Sequence, residues 1–262
     1  MRTVTACILV ASFLTAAEGA VVSEEVTYEV GDTTFNGYIA TDDAIEGKRP
    51  GVIVVHEWWG NNDYTRARAD MLAELGYTAM ALDMYGDGKV ADHPDDAGKF
   101  SGEVNRNMEE AEARFQAAMD LLKQQPNVDS ERIAAIGYCF GGGVVLEMAR
   151  RGLDLDAVAS FHGGLGTSDP AKAGEVKARL AVFNGADDPF VKPEQIDAFK
   201  SEMDGAKVDY IFVNYPGVLH AFTNPAATAN GEKFDLPLKY DTEADQDSWA
   251  RMQTLFEEVF AN

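Results

Sequence analysis

The sequence predicts an α/β fold, a mostly parallel sheet with helices on both faces. Three observations predict it. Short continuous apolar runs, such as Gly51-Val52-Ile53-Val54-Val55, have the pattern of strands buried on both faces. Such runs alternate along the chain with segments of helical spacing. One of them, residues 132–136, leads through Gly137-Tyr138-Cys139-Phe140-Gly141-Gly142 straight into a helix-like run, residues 143–150. That is a strand, a sharp turn and a helix, with a cysteine at the apex.

The elements follow in order. Residues 26–30 and 34–40 alternate in polarity and are split by Gly31-Asp32, which predicts an antiparallel hairpin. Pro50 introduces the strand 51–55. Asn62-Asp63 caps a helix running to Leu75, and Gly76 ends it. Residues 77–82 form the next strand. Residues 83–100 are rich in Gly, Asp and Pro and read as irregular. Residues 103–125 have helical spacing, with Met108, Ala111, Phe115, Ala118, Met119 and Leu122 on one side. After the cysteine turn come strands at 155–161 and 180–184, a helix at 193–203, a strand at 208–213 and a closing helix at 242–260. The irregular stretches 83–100 and 222–240 are candidate lids or pocket walls. With no repeat, low-complexity segment or linker, residues 21–262 read as one domain.

The first twenty residues are expected to lie outside the fold. Arg2 precedes an apolar stretch, residues 6–14, followed by Thr15-Ala16-Ala17-Glu18-Gly19-Ala20. This is the pattern of a secretory signal peptide, too short to span a bilayer comfortably. It predicts an exported protein, periplasmic or secreted. Cleavage would remove Cys7 and leave Cys139 alone, with no internal disulfide. A lone thiol in an oxidising compartment implies burial or use. The net charge of -22 repels nucleic acid and anionic membrane surfaces, so neither is an expected partner.

The cysteine turn matches G-x-S-x-G, the nucleophile elbow, with sulfur in place of oxygen. The elbow holds its central residue in a strained conformation at a helix N-terminus, where the helix dipole favours a thiolate. Such a nucleophile needs a base, and the base an orienting carboxylate. In the α/β-hydrolase order the acid and then the histidine follow the nucleophile. Asn184-Gly185-Ala186-Asp187-Asp188-Pro189-Phe190-Val191 follows a strand and offers two acids. Asp188 fits better, preceding Pro189 in a G-x-x-D-x-x-V pattern, while Asp187 suits the turn. His220, in Tyr215-Pro216-Gly217-Val218-Leu219-His220-Ala221-Phe222, has the right order and placement. His93 sits in a Gly/Asp-rich loop. His56-Glu57 does not complete H-E-x-x-H, because residue 60 is Gly. His162 is expected at a pocket rim. The loop Val55-His56-Glu57-Trp58-Trp59-Gly60 supplies one oxyanion donor in this arrangement, and the residue after the nucleophile the other. These are the amides of Trp58 and Phe140. Trp59, Tyr85 and Phe222 are candidate pocket walls. No metal or cofactor is expected.

The Cys-centred elbow, the H-E-W-W-G loop, Asp83-Met84-Tyr85-Gly86, the G-A-D-D-P-F-V turn and the L-H-A-F loop together resemble the dienelactone hydrolase family, from about residue 26 to 260. The resemblance implies an α/β-hydrolase fold and a Cys-His-Asp triad, here Cys139, His220 and Asp188. It also implies that Glu57 contacts the resting thiol and modulates its ionisation. The sequence departs from the family where dienelactone's carboxylate would be held. His220-Ala221-Phe222-Thr223-Asn224-Pro225 has no arginine, and none follows Tyr85 before Arg106. The resemblance therefore carries the fold and the triad, and not dienelactone itself. The expected activity is hydrolysis of a small-molecule carboxylic ester or lactone through an acyl-cysteine. A thioesterase or acyltransferase would use the same site; a redox thiol or binding pocket would need only part of it.

Overall fold

The computed structural model describes residues 20–261. The expected signal segment lies outside the described residues, apart from Ala20. Strands β1 (Val21–Val30) and β2 (Thr33–Asp42) form the expected hairpin, paired in register from Val21↔Asp42 to Val30↔Thr33. Then come β3 (Arg49–Val55), α1 (Asp63–Glu74), β4 (Thr78–Leu82), α2 (Pro94–Asn105), α3 (Met108–Lys123), β5 (Val128–Tyr138) and α4 (Phe140–Arg150). The chain closes with β6 (Ala157–Phe161), β7 (Arg179–Gly185), α5 (Pro193–Ala206), β8 (Tyr210–Tyr215), α6 (Ala227–Phe234) and α7 (Thr242–Phe260).

One eight-stranded sheet runs in the order β1-β2-β4-β3-β5-β6-β7-β8. β1 and β2 are antiparallel, β2 meets β4 antiparallel, and all later pairings are parallel. Successive side chains of a strand point to opposite faces. Ile53 and Val55 therefore enter the core under α3, α4 and α5, with Phe115, Val145 and Phe199. Val52 and Val54 enter the core under α1 and α7, with Leu72, Met252 and Phe256. Each of these apolar side chains contributes about 1.5–3 kcal/mol by leaving water. That burial on both faces is why the strands read as unbroken apolar runs.

Three expectations are corrected. Residues 83–100 are not irregular throughout, because α2 starts at Pro94, and its cap His93 accepts from Asp95 N–H through the ring. The helical stretch 103–125 is two helices, broken at Arg106-Asn107, where Asn107 caps α3 by accepting from Glu110 N–H at 3.2 Å. Residues 222–240 likewise contain α6. Among the described residues no helix is long and apolar enough to cross a membrane.

Candidate active site

The carboxyl ends of the parallel strands gather the chemistry at one edge of the sheet. Glu57 and Trp58 follow β3, Tyr85 follows β4, Cys139 follows β5, His162 follows β6, Asp188 follows β7 and His220 follows β8. Open α/β sheets bind ligands at this edge.

Cys139 is the N-cap of α4, with φ 53° and ψ −114°. Few non-glycine residues hold such a conformation, and it costs of order 1–3 kcal/mol. The flanking glycines make it possible. A Cβ on Gly137 would lie 2.1 Å from the Gly141 carbonyl oxygen, and one on Gly141 would lie 2.4 Å from the Val55 carbonyl oxygen. The close approach is used: Gly141 N–H donates to the His56 carbonyl at 3.1 Å. That bond knits the elbow to the Glu57-Trp58 loop, and Phe140 and Trp58 line the same cavity.

His220 is buried, and its Nδ1 lies 2.6 Å from Asp188 Oδ2. The other Asp188 oxygen accepts from Phe190 N–H at 2.8 Å. Asp187 is exposed and turns away, its amide donating to the Val218 carbonyl. His220 and Cys139 line the same cavity, with the ring within electrostatic reach of the sulfur. Burial opposes charge on the ring. The electrostatic influence of Cys139 and the hydrogen bond to Asp188 outweigh it, and the imidazole pKa is pushed up to about 10.

Glu57 is buried, and Asn224 Nδ2 donates to its Oε2 at 2.6 Å. Its Oε1 is buried without a hydrogen-bond partner. Burial raises its pKa to about 7, against the Asn224 hydrogen bond and the charges of His220 and Arg68. Glu57 lines the same cavity as Cys139, and Asn224 holds one of its carboxylate oxygens.

A cavity of about 460 Å³ opens beside Cys139 and His220. Glu57, Trp58, Trp59 and Phe140 line it, Trp59 being the expected pocket wall among them. Tyr85 and Phe222 do not. Tyr85 stands behind the loop and donates its hydroxyl to the Trp58 carbonyl at 2.9 Å. Phe222 is fully buried under α1 and α7, because Ala221, at φ 58°, turns the chain between it and His220. His162 is not at the rim either; it is fully buried beneath the elbow. His56 is a brace: its Nδ1 lies 2.5 Å from the Glu57 carbonyl, and its Nε2 accepts from Met84 N–H at 3.1 Å. Burial lowers its pKa, which keeps the ring neutral for that task. His93, read as a loop residue, caps α2.

Sequence reasoning missed Phe190 and Asn224. The Phe190 ring meets His220 edge-on at 5.0 Å and lines the cavity. The signal for both was proximity, two residues past Asp188 and four past His220. Among the described residues no group of three or more His, Cys, Asp or Glu is arranged to hold a metal.

The sequence profile of the dienelactone hydrolase family matches residues 35–260. The chain belongs to the dienelactone hydrolase family. Protein usf of Aquifex pyrophilus is 32% identical, over 89% of this chain and 97% of its own. Among solved structures, a dienelactone hydrolase-like promiscuous phosphotriesterase from metagenomic libraries is 38% identical with a TM-score of 0.85. The match covers 92% of this chain and 99% of that one. The structure named m3DLH is 41% identical with a TM-score of 0.86, over 92% of this chain and 100% of that one. Membership makes the chain a hydrolase with the α/β-hydrolase fold. For this dienelactone hydrolase family member the cavity has a particular charge: Glu57 and Glu147 line it, and among the described residues no lysine or arginine does.

Proposed function

We propose that the protein hydrolyses uncharged carboxylic esters or lactones through an acyl-cysteine. The observation that carries this reading is the 2.6 Å contact between Asp188 and His220, with Cys139 lining the same cavity as the imidazole. Asp188 holds the ring so that Nε2 faces the thiol. His220 Nε2 takes the Sγ proton, and sulfur attacks the substrate carbonyl. The oxyanion is stabilised by the amides of Phe140 and Trp58, on loops joined through Gly141 and His56. Collapse transfers the proton to the leaving alcohol oxygen. Water then attacks the thioester, gives its proton to His220, and releases the acid and the thiol.

The uncharged substrate is supported by a cavity that, among the described residues, is lined by two glutamates and by no basic side chain other than His220. The signal-like segment at residues 1–20 makes export part of the same reading.

The test is hydrolysis of p-nitrophenyl esters of several chain lengths, neutral and anionic lactones, and a neutral phosphotriester, the last for the metagenomic relative's name. Cys139→Ala is expected to lose turnover. Asp188→Asn is expected to lose about 10²- to 10⁴-fold in kcat, while Asp187→Asn stays near wild type. Turnover that survives Cys139→Ala removes the acyl-cysteine. A thiol that oxidises readily while no ester turns over favours a redox or binding role.

A further inference from the structure

His162 has both ring nitrogens engaged in a place where packing alone would need neither. It follows β6 directly, with φ 41°, and is fully buried. The backbone N–H of Cys139 is shared between the Phe161 carbonyl and His162 Nδ1, at 3.0 Å from each. An accepting Nδ1 leaves the ring proton on Nε2. That proton is donated to Thr223 Oγ1, at 2.7 Å. Thr223 is in the His220 loop and is itself fixed from outside. Its Oγ1 is bonded to Tyr64 Oη at 2.6 Å, and its carbonyl accepts from Arg68 Nη2 at 2.6 Å.

We infer that His162 is a positioning residue that sets the placement of His220 against Cys139, by tying the nucleophile's own amide to Thr223. This rests on Cys139 and His220 acting as proposed above. The two catalytic groups come from separate loops, after β5 and after β8, and the elbow is rigid. The His162 link gives the histidine loop a fixed distance to that elbow. A misplacement of about 1 Å costs of order 10²-fold in a reaction that depends on alignment. The link also requires a neutral ring. Burial, the neighbouring His220 and Arg68 all disfavour its protonation.

Three variants test this. Thr223→Val keeps the shape and removes the acceptor. Thr223→Ser keeps the acceptor. His162→Asn retains an oxygen near the Nδ1 position and tolerates positive φ, but does not reach Thr223. The readouts are kcat and KM on the preferred ester, and the rate of Cys139 alkylation by iodoacetamide from pH 5 to 9, assigned by peptide mass. Thr223→Val and His162→Asn are each expected to lower kcat and the neutral-pH alkylation rate by about tenfold or more, with KM little changed. The double variant falls no further than the worse single, because both cut one link. Thr223→Ser restores both rates. Undiminished rates in Thr223→Val, losses that multiply in the double variant, or a Thr223→Ser as impaired as Thr223→Val would each overturn the inference. His162→Asn carries the test if Thr223→Val does not fold. Failure of wild type to hydrolyse any ester would sink the hydrolase reading, while the alkylation rates still decide the positioning role.

Discussion

Glu57 carries a carboxyl whose charge changes near neutral pH, with consequences for stability. Its folded-state pKa, about 7, lies above the ordinary 4.5. The folded chain therefore holds this proton more tightly than the unfolded chain does. Stability from the protonated form is complete below the unfolded value and is lost as pH rises through about 7. Glu57→Gln keeps an acceptor for Asn224 and cannot ionise. The variant is expected to exceed wild type in stability by up to about 3 kcal/mol above pH 8, and to converge with it near pH 4. Urea unfolding at the two pH values measures this; a pH-independent difference would show that Glu57 is not the titrating group. At this scale the placement of Cys139, Asp188 and His220 at the carboxyl ends of β5, β7 and β8 was legible from motif and order. Asn224 and His162 were not, because their partners come from loops that meet only in the folded molecule. The pattern that singled out Asp188 agrees with its contact to His220, whereas Tyr85 and Phe222 were misplaced because aromatic character does not tell which way a loop turns.

The loop after β8 and helix α6 build one wall of the cavity together. A Cβ on Gly231 would lie 2.5 Å from the Leu238 carbonyl oxygen and 2.9 Å from that of Leu236. Leu236 and Leu238 both line the cavity, and Leu238 bridges to His220. Gly231→Ala therefore pushes on this wall without touching the side chains of Cys139, Asp188 or His220. The variant is expected to raise KM for the preferred ester severalfold and to lose about 1–3 kcal/mol of stability from overpacking. Steady-state kinetics with thermal melts check it, and an unchanged KM would mean the wall yields elsewhere. Neither α6 nor α2 was legible as a helix, since Gly, Asp and Pro in the segment pointed to a loop. For α2 the missed signal was local: a cap at His93, Pro94 in the first turn, then Asp95 and Asp96, the acidic start that a helix dipole favours. The break between α2 and α3 was hidden because the apolar spacing continues across Asn107. The buried strands were legible because a parallel sheet covered on both faces admits little else.

At the scale of the whole molecule, charge and cavity point the same way. A net charge of -22 surrounds a site lined by Glu57 and Glu147. Glu147 is paired with Arg150 at 2.9 Å, but the same guanidinium also binds Glu202 at 2.8 Å, so the trio keeps a negative charge. A neutral ester is expected to exceed its carboxylate-bearing analogue in kcat/KM by tenfold or more at low salt. Raising salt to about 0.5 M narrows the gap by screening the long-range part. Equal rates at low salt would mean that the field does not reach the cavity. The composition and the absence of arginine from residues 220–225 already pointed to this expectation, because charge adds along a chain whatever its fold. The triad itself stands or falls on a covalent species. The most direct measurement is rapid acid quench of the protein with a slowly deacylating p-nitrophenyl ester, followed by peptide mass mapping. An acyl group on the peptide containing Cys139, absent in Cys139→Ala and accumulating in step with the p-nitrophenol burst, is the predicted result. Steady turnover with no acyl mass at Cys139, or the same turnover in Cys139→Ala, would contradict it.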